Sequence, residues 1–202
     1  MMVDVDNPLR ILRPIPVYIL AVGDQKLANI MTVSWITPVA KKPPTIGVVV
    51  DKANYTHKLI NNYLKFSLCV PPADMAPLVK YIGTYSGREI DKVSKTGVKI
   101  NFTKDGFPIV EGCLAYVFVE VVKKVDFGPS TIYIGQIRGA RANSSYFDAR
   151  LGWKNLLEKE GLLLHLAKHF FVKCKGEIVR IIETPWGVAV KKPWREKRFW
   201  EE

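Results

Sequence analysis

Apolar residues in this chain come in short blocks separated by polar or proline-containing turns, and the block lengths point mostly to strands. Residues 15–22 form an apolar run after Pro14, and Gly23-Asp24 marks the turn that ends it. Residues 27–37 read as a second strand stopped at Pro38. Residues 45–50 are β-branched almost throughout, the mark of a strand buried on both faces. Residues 56–63 switch to helical spacing, with Leu59, Ile60 and Tyr63 on one face. Residues 66–70 return to a buried strand, closed by Pro71-Pro72. Asp74 is placed to cap a helix running to about Thr84, with Met75, Leu78, Val79 and Ile82 inward.

A polar stretch around Gly87 separates this half from the next. Residues 114–125 and 131–140 are long and β-rich, and the turn Phe127-Gly128-Pro129-Ser130 between them predicts a hairpin. Residues 151–165 are mixed, residues 170–174 read as a further strand, and from Thr184 the chain becomes rich in Pro, Trp and Lys, an irregular tail. Strands follow one another without regular helical crossovers, which predicts a mainly β, antiparallel architecture carrying a few helices. There is no G-x-G-x-x-G after a strand, no P-loop and no H-E-x-x-H.

Composition narrows this further. The 202 residues are 48% hydrophobic and 24% charged, which suits a single globular domain spanning residues 1–202. No apolar run is long enough to cross a membrane, and the first residues lack the apolar core of a secretory signal, so a soluble cytoplasmic protein is expected. Cys69, Cys113 and Cys174 show no C-x-x-C spacing and read as buried free thiols. His165 and His169 are four apart, but no further ligands of suitable chemistry lie near them, so no metal is expected. The net charge of +11 points either to an anionic partner or merely to a charged, soluble surface. No helix-turn-helix, zinc-finger or RNA-recognition signature makes that partner a nucleic acid, although Trp194, Phe199 and Trp200 among the basic residues of the tail could stack on bases.

Three segments carry candidate chemistry. On a strand, Asn29, Met31, Val33 and Trp35 would share one face, and Ile30, Thr32 and Ser34 the other. A large aromatic among amides and hydroxyls suits a planar, partly polar ligand, and equally a half-exposed strand with a core Trp. Asn54 and Thr56 sit where a buried strand runs into a helix, and free N–H groups there can hold an anion, although either residue could simply cap the helix. Ser86, Gly87, Arg88 and Lys92 form a glycine-containing segment in which Arg88 and Lys92, four apart, would meet one phosphate if the piece were helical.

Taken in order, N-x-M-T-x-S-W at Asn29 to Trp35, Pro43-Pro44 before a buried strand, N-Y-T-H at Asn54 to His57, and G-T-Y-S-G-R-x-x-D-K at Gly83 to Lys92 resemble the flavin reductase-like family, which includes flavoredoxins and archaeal ferric reductases. The resemblance implies an FMN-binding split β-barrel of antiparallel Greek-key type, working as a homodimer with non-covalent FMN near the subunit interface. By position, Asn29, Met31, Thr32, Ser34 and Trp35 would surround the isoalloxazine and ribityl chain. Asn54 and Thr56 would lie near the ribityl or phosphate, and Ser86, Arg88 and Lys92 at the phosphate, with Gly87 allowing close approach. Relatives often carry a histidine at the start of the strand after the second-half turn, where this chain has Ser130-Thr131-Ile132. His165 or His57 could replace it in space. The implied activity is an NAD(P)H-dependent flavin or ferric reductase passing electrons to free flavin or iron. The alternative is a flavoredoxin-type carrier that takes electrons from a protein and meets acidic redox partners through its basic surface. No side chain is expected to act as a catalytic acid or base.

Overall fold

The structure is a computed structural model that describes residues 6–150, 152–153, 161–167, 170–174, 183–184 and 187–188. Its centre is a seven-stranded antiparallel sheet. In chain order the strands are β2 (Tyr18–Gly23), β3 (Ala28–Val33), β4 (Ile36–Lys41), β5 (Pro44–Asp51), β6 (Lys65–Val70), β9 (Ala115–Phe127) and β10 (Ser130–Ala142). They pair in the order β3-β2-β6-β9-β10-β5-β4. The mainly β, antiparallel architecture expected from the sequence is therefore what the chain adopts. The ladder leaves β3 and β4 as its two edges and does not close into a ring of hydrogen bonds. Short β1 (Ile15–Pro16) belongs to a separate sheet with β13 (Leu162–Ala167) and β14 (Phe170–Cys174). The remaining short ladders pair β7 (Ile100–Phe102) with β8 (Pro108–Val110), and β11 (Phe147–Asp148) with β12 (Gly152–Trp153).

The alternation along β2 explains why the sheet is covered on both sides. Leu20 and Val22 point into a core with Val48, Leu59, Ile60, Phe66 and Tyr133, beneath helix α1 (Tyr55–Tyr63). Ile19 and Ala21 point the other way, into a second core with Ile30, Val79, Ile82 and Val110, beneath helix α2 (Ala76–Thr84). A strand with both faces buried must be apolar throughout, as this one is. Cys69 and Cys113 are buried free thiols in the second core. The expected hairpin is present: Ser130 pairs with Phe127 across the turn, and bulges at Ile134/Gly135 and Ile137/Gly139 bend its inner half.

Two sequence expectations are corrected, and the condition set for Arg88 and Lys92, a helical segment, is not met. Residues 27–37 are not one strand. Alternation holds along β3, then the chain breaks at Ser34-Trp35 and resumes as β4 on the opposite edge of the sheet. Asp74 does not cap α2. It lies in a 3-10 turn (Ala73–Met75), and the helix starts at Ala76, with Pro77 in its first turn where a missing N–H costs nothing. Residues 86–91 are not helical. Helix α3 (Lys92–Thr96) starts only at Lys92, its end capped by Asp91, whose carboxylate accepts from the backbone of Val93 and Ser94. Beyond residue 174, Glu183–Thr184 pairs with Gly187–Val188. The rest of the expected tail, and His169, lie outside the described residues. His165 is on a strand.

Candidate functional site

The break between β3 and β4 opens a cleft of about 500 Å³, within the range usual for small-molecule sites. Met31, Thr32, Ser34 and Trp35 form its floor, and Asn54, at the start of α1, lies at its side. Trp35 is 46% exposed although large and apolar, which is unusual for a residue with a core at hand. The Thr32 hydroxyl donates to the carbonyl of Val79 and so ties β3 to α2. A Cβ at Gly83, one turn further along α2, would stand 3.1 Å from Thr32, so glycine keeps the helix close to the floor. Asn54 is the N-terminal cap residue of α1, yet its side chain makes no capping bond. Its amide is thereby not committed to the helix end.

The remaining sequence-selected residues stand beside this cleft rather than in it. Asn29 is buried, its amide donating to the Thr56 hydroxyl at 2.8 Å. Gly87 packs against both Asn29 and Tyr55. Arg88 reaches back to the carbonyl of Ala53 at 2.8 Å, next to Asn54, while the Ser86 hydroxyl accepts from the Arg88 backbone at 3.2 Å. Lys92 is 5% exposed and its ammonium donates to the carbonyl of Ile82 at 2.7 Å, closing the C-terminal turn of α2. Burial lowers its pKa from the ordinary 10.5 to about 8. Asn29, Gly87, Arg88 and Lys92 line a second cleft of about 400 Å³. Thr56 lines neither, being tied into the wall between α1 and β3.

The structure also brings in residues the motifs do not contain: Arg13, Asp51, Lys80, Pro129, Ser130 and His165 all line the first cleft. Ser130 is at the lip. The lip is fixed by the backbone N–H of Lys52 donating to Pro129 at 2.8 Å. Behind it, Thr131 is buried and donates to Asp126 at 2.6 Å. The Nε2 of His57 lies 2.9 Å from the same hydroxyl. With the Thr131 proton committed to Asp126, His57 is the donor. Desolvation lowers the His57 pKa, in keeping with a neutral ring, and the Thr131 hydrogen bond holds Asp126 below the usual carboxylate range. His57 thus braces the lip from behind, whereas His165 faces the cleft, with one Arg13 nitrogen 2.5 Å and 3.2 Å from its two ring nitrogens.

Residues 12–170 match the model of the flavin reductase-like domain. The chain belongs to the flavin reductase-like family. An uncharacterised protein of Archaeoglobus fulgidus is 30% identical over 148 residues, covering 73% of this chain and 83% of that protein. Among solved structures, a flavoredoxin from Methanosarcina acetivorans superposes with a TM-score of 0.78 at 24% identity, covering 95% of this chain and 96% of that one. An FMN-binding protein from Thermus thermophilus with bound 1-cyclohex-2-enone gives 0.76 at 23% identity, covering 89% and 98%. At these identities the two structures share the fold. For a flavin reductase-like chain, the described geometry has a direct reading. Three of the four motif segments, from distant parts of the sequence, come together on the two clefts and the wall between them, while Pro43-Pro44 lies at the turn between β4 and β5 and lines neither. Among the described residues no helix is long and apolar enough to cross a membrane.

Proposed function

We propose that this protein binds FMN without a covalent link in the cleft at the β3–β4 break and acts as an NAD(P)H-dependent flavin or ferric reductase. The observation that carries the reading is the half-exposed Trp35 beside Ser34 and Thr32, with Asn54 at the side of the same cleft. These residues fit such a group. Met31 and Trp35 offer apolar surface to a planar ring, and Ser34, Thr32 and Asn54 offer polar edges. Ser86 and Arg88, close to the start of α1, offer charge and hydroxyl to a phosphate. Lys92 has two N–H groups beyond the one given to Ile82, so the same phosphate is within its chemistry. Asn29, Thr56 and Gly87 set the wall. Bound FMN supplies the hydride and electron chemistry; this chain's residues fix the cofactor's position and the access to it. Freshly purified protein, or protein titrated with FMN, should show flavin absorption bands. Anaerobic NADH or NADPH should then bleach them in stopped-flow mixing. Protein that takes up no FMN sinks the whole reading, and bound FMN that stays oxidised with both nucleotides sinks the reductase activity.

That last outcome leaves the carrier reading, in which electrons come from a protein. The tip of the β9–β10 hairpin supports it: Phe127 is 76% exposed beside the cleft lip, and Lys123 and Lys124 are exposed on the same strand. An acidic redox partner would meet both a basic field and an apolar contact there.

The working unit we infer is a homodimer. An apolar groove of about 480 Å³, lined by Leu9, Leu12, Ile15, Val39 and Ile132, runs into the cleft through Trp35. It lies along the edge strand β4, whose outer residues are exposed. Edge strands of this kind are normally covered. Sedimentation should give a dimer for the natural chain and a monomer for Val39→Lys; a natural chain that sediments as a monomer overturns the assignment.

A further inference from the structure

Arg13 and Lys80 line the cleft and Arg88 stands beside it, and of these three cations the reading above uses only Arg88. Arg88 lies beside Asn54, at the start of α1. Arg13 lies where the cleft meets the apolar groove: Arg13, Ser34, Trp35 and Val49 line both. Arg13 precedes β1, whose Ile15 pairs with His165 of β13, so a contact between residues 152 apart in sequence is set by strand register. His165 occupies one guanidinium nitrogen, and among the described residues Arg13 has no carboxylate partner. A guanidinium carries five N–H donors in a planar fork that matches phosphate. Beside it stands the exposed face of Trp35, on which a base can stack. A cation steered by a neighbour, with no carboxylate partner among the described residues, next to an exposed aromatic plane, suits a ligand that has both phosphates and bases.

We propose that Arg13, oriented by His165 and flanked by Trp35, binds the phosphate groups of the nicotinamide dinucleotide that donates the electrons. The assignment rests on the reductase reading. It also places the phosphate contact on Arg13 and His165, which no motif segment contains. His165 is a positioning residue; Arg13 makes the contact. Arg13→Ala should raise the KM for NADH and NADPH by about tenfold or more, the loss expected for a charge-assisted hydrogen bond. Turnover at saturating nucleotide should stay close to that of the natural protein, because the contact is made equally before and during transfer. The FMN dissociation constant should not move. His165→Ala should show a weaker form of the same KM effect, and His165→Gln, which keeps a hydrogen-bonding side chain, should recover part of it.

The assay uses FMN-loaded protein with NADH and NADPH as the variable substrates. If the natural protein is not reduced by either nucleotide, the reductase reading falls and takes this assignment with it. If the natural protein is reduced but Arg13→Ala keeps its KM, the assignment alone falls. If Arg13→Ala instead loses FMN affinity, the residue serves the flavin phosphate; if it sediments as a monomer, it serves the subunit contact. Either result overturns the proposal.

Discussion

Gly87→Ala should cost the protein both stability and FMN. A Cβ at this position would lie 2.3 Å from the side-chain oxygen of Asn29 and 2.8 Å from the ring of Tyr55. Neither neighbour yields easily. Asn29 is 4% exposed and anchored to Thr56, and Tyr55 opens α1, where Asn54 also sits. The strain of an extra methyl in a packed wall is about 1–3 kcal/mol, a fall in Tm of roughly 5 °C for a chain of this size. Relief by moving Tyr55 or Arg88 displaces the groups assigned to the phosphate, so FMN affinity should fall more than tenfold. Melting curves with and without FMN give both quantities. Melts that overlay those of the natural protein in both conditions would show that the wall is slack and that Gly87 has no such role.

The second large effect belongs to Lys92 and appears as a dependence on pH. In the folded chain its pKa is about 8; unfolded, it returns to the ordinary 10.5. Below pH 8 the ammonium is charged in both states, and the fold carries the full cost of burying it, on the order of 3 kcal/mol. Between pH 8 and 10.5 the folded state gives up the proton and the unfolded state keeps it, so this residue makes stability rise with pH. Lys92→Met removes that rise. It also leaves the Ile82 carbonyl unpaired, at about 1–3 kcal/mol. The two changes nearly offset each other at pH 7, and the variant becomes the less stable protein as pH approaches 10. Urea unfolding of FMN-free protein at several pH values measures the difference, and parallel curves for the two proteins would refute the assignment. Saturating FMN should flatten the curve of the natural protein if its phosphate reaches this ammonium, because the phosphate holds the proton in place.

Residues that answer to local rules were legible in the sequence. The all-apolar β2, the helical spacing of α1 and the β9–β10 hairpin follow from periodicity and turn chemistry, and the order of the four motif segments identifies the family. What failed depends on distance. Nothing in the alternation of residues 29–35 tells which neighbour each part will pair with, so the jump from one sheet edge to the other at Ser34-Trp35 is invisible. Lys92 carries a charge that suggests solvent, yet its long aliphatic stem lets the ammonium reach the end of α2. Arg13 and His165 meet only because β1 and β13 pair. The proline that fixes the start of α2 is at 77, and it outweighs the capping preference of Asp74.

The break at Ser34-Trp35 has a mechanical meaning as well. Strands that are neighbours in the chain are here the two outermost of seven, so a pair of residues links the ends of the whole ladder. A tether that short spans no more than about 11 Å, so the two margins are held close and the ladder has to curl round on itself. Ser34 and Trp35, which line the cleft, are that tether, so a planar ligand resting there would lie across the seam at which the curled sheet meets itself.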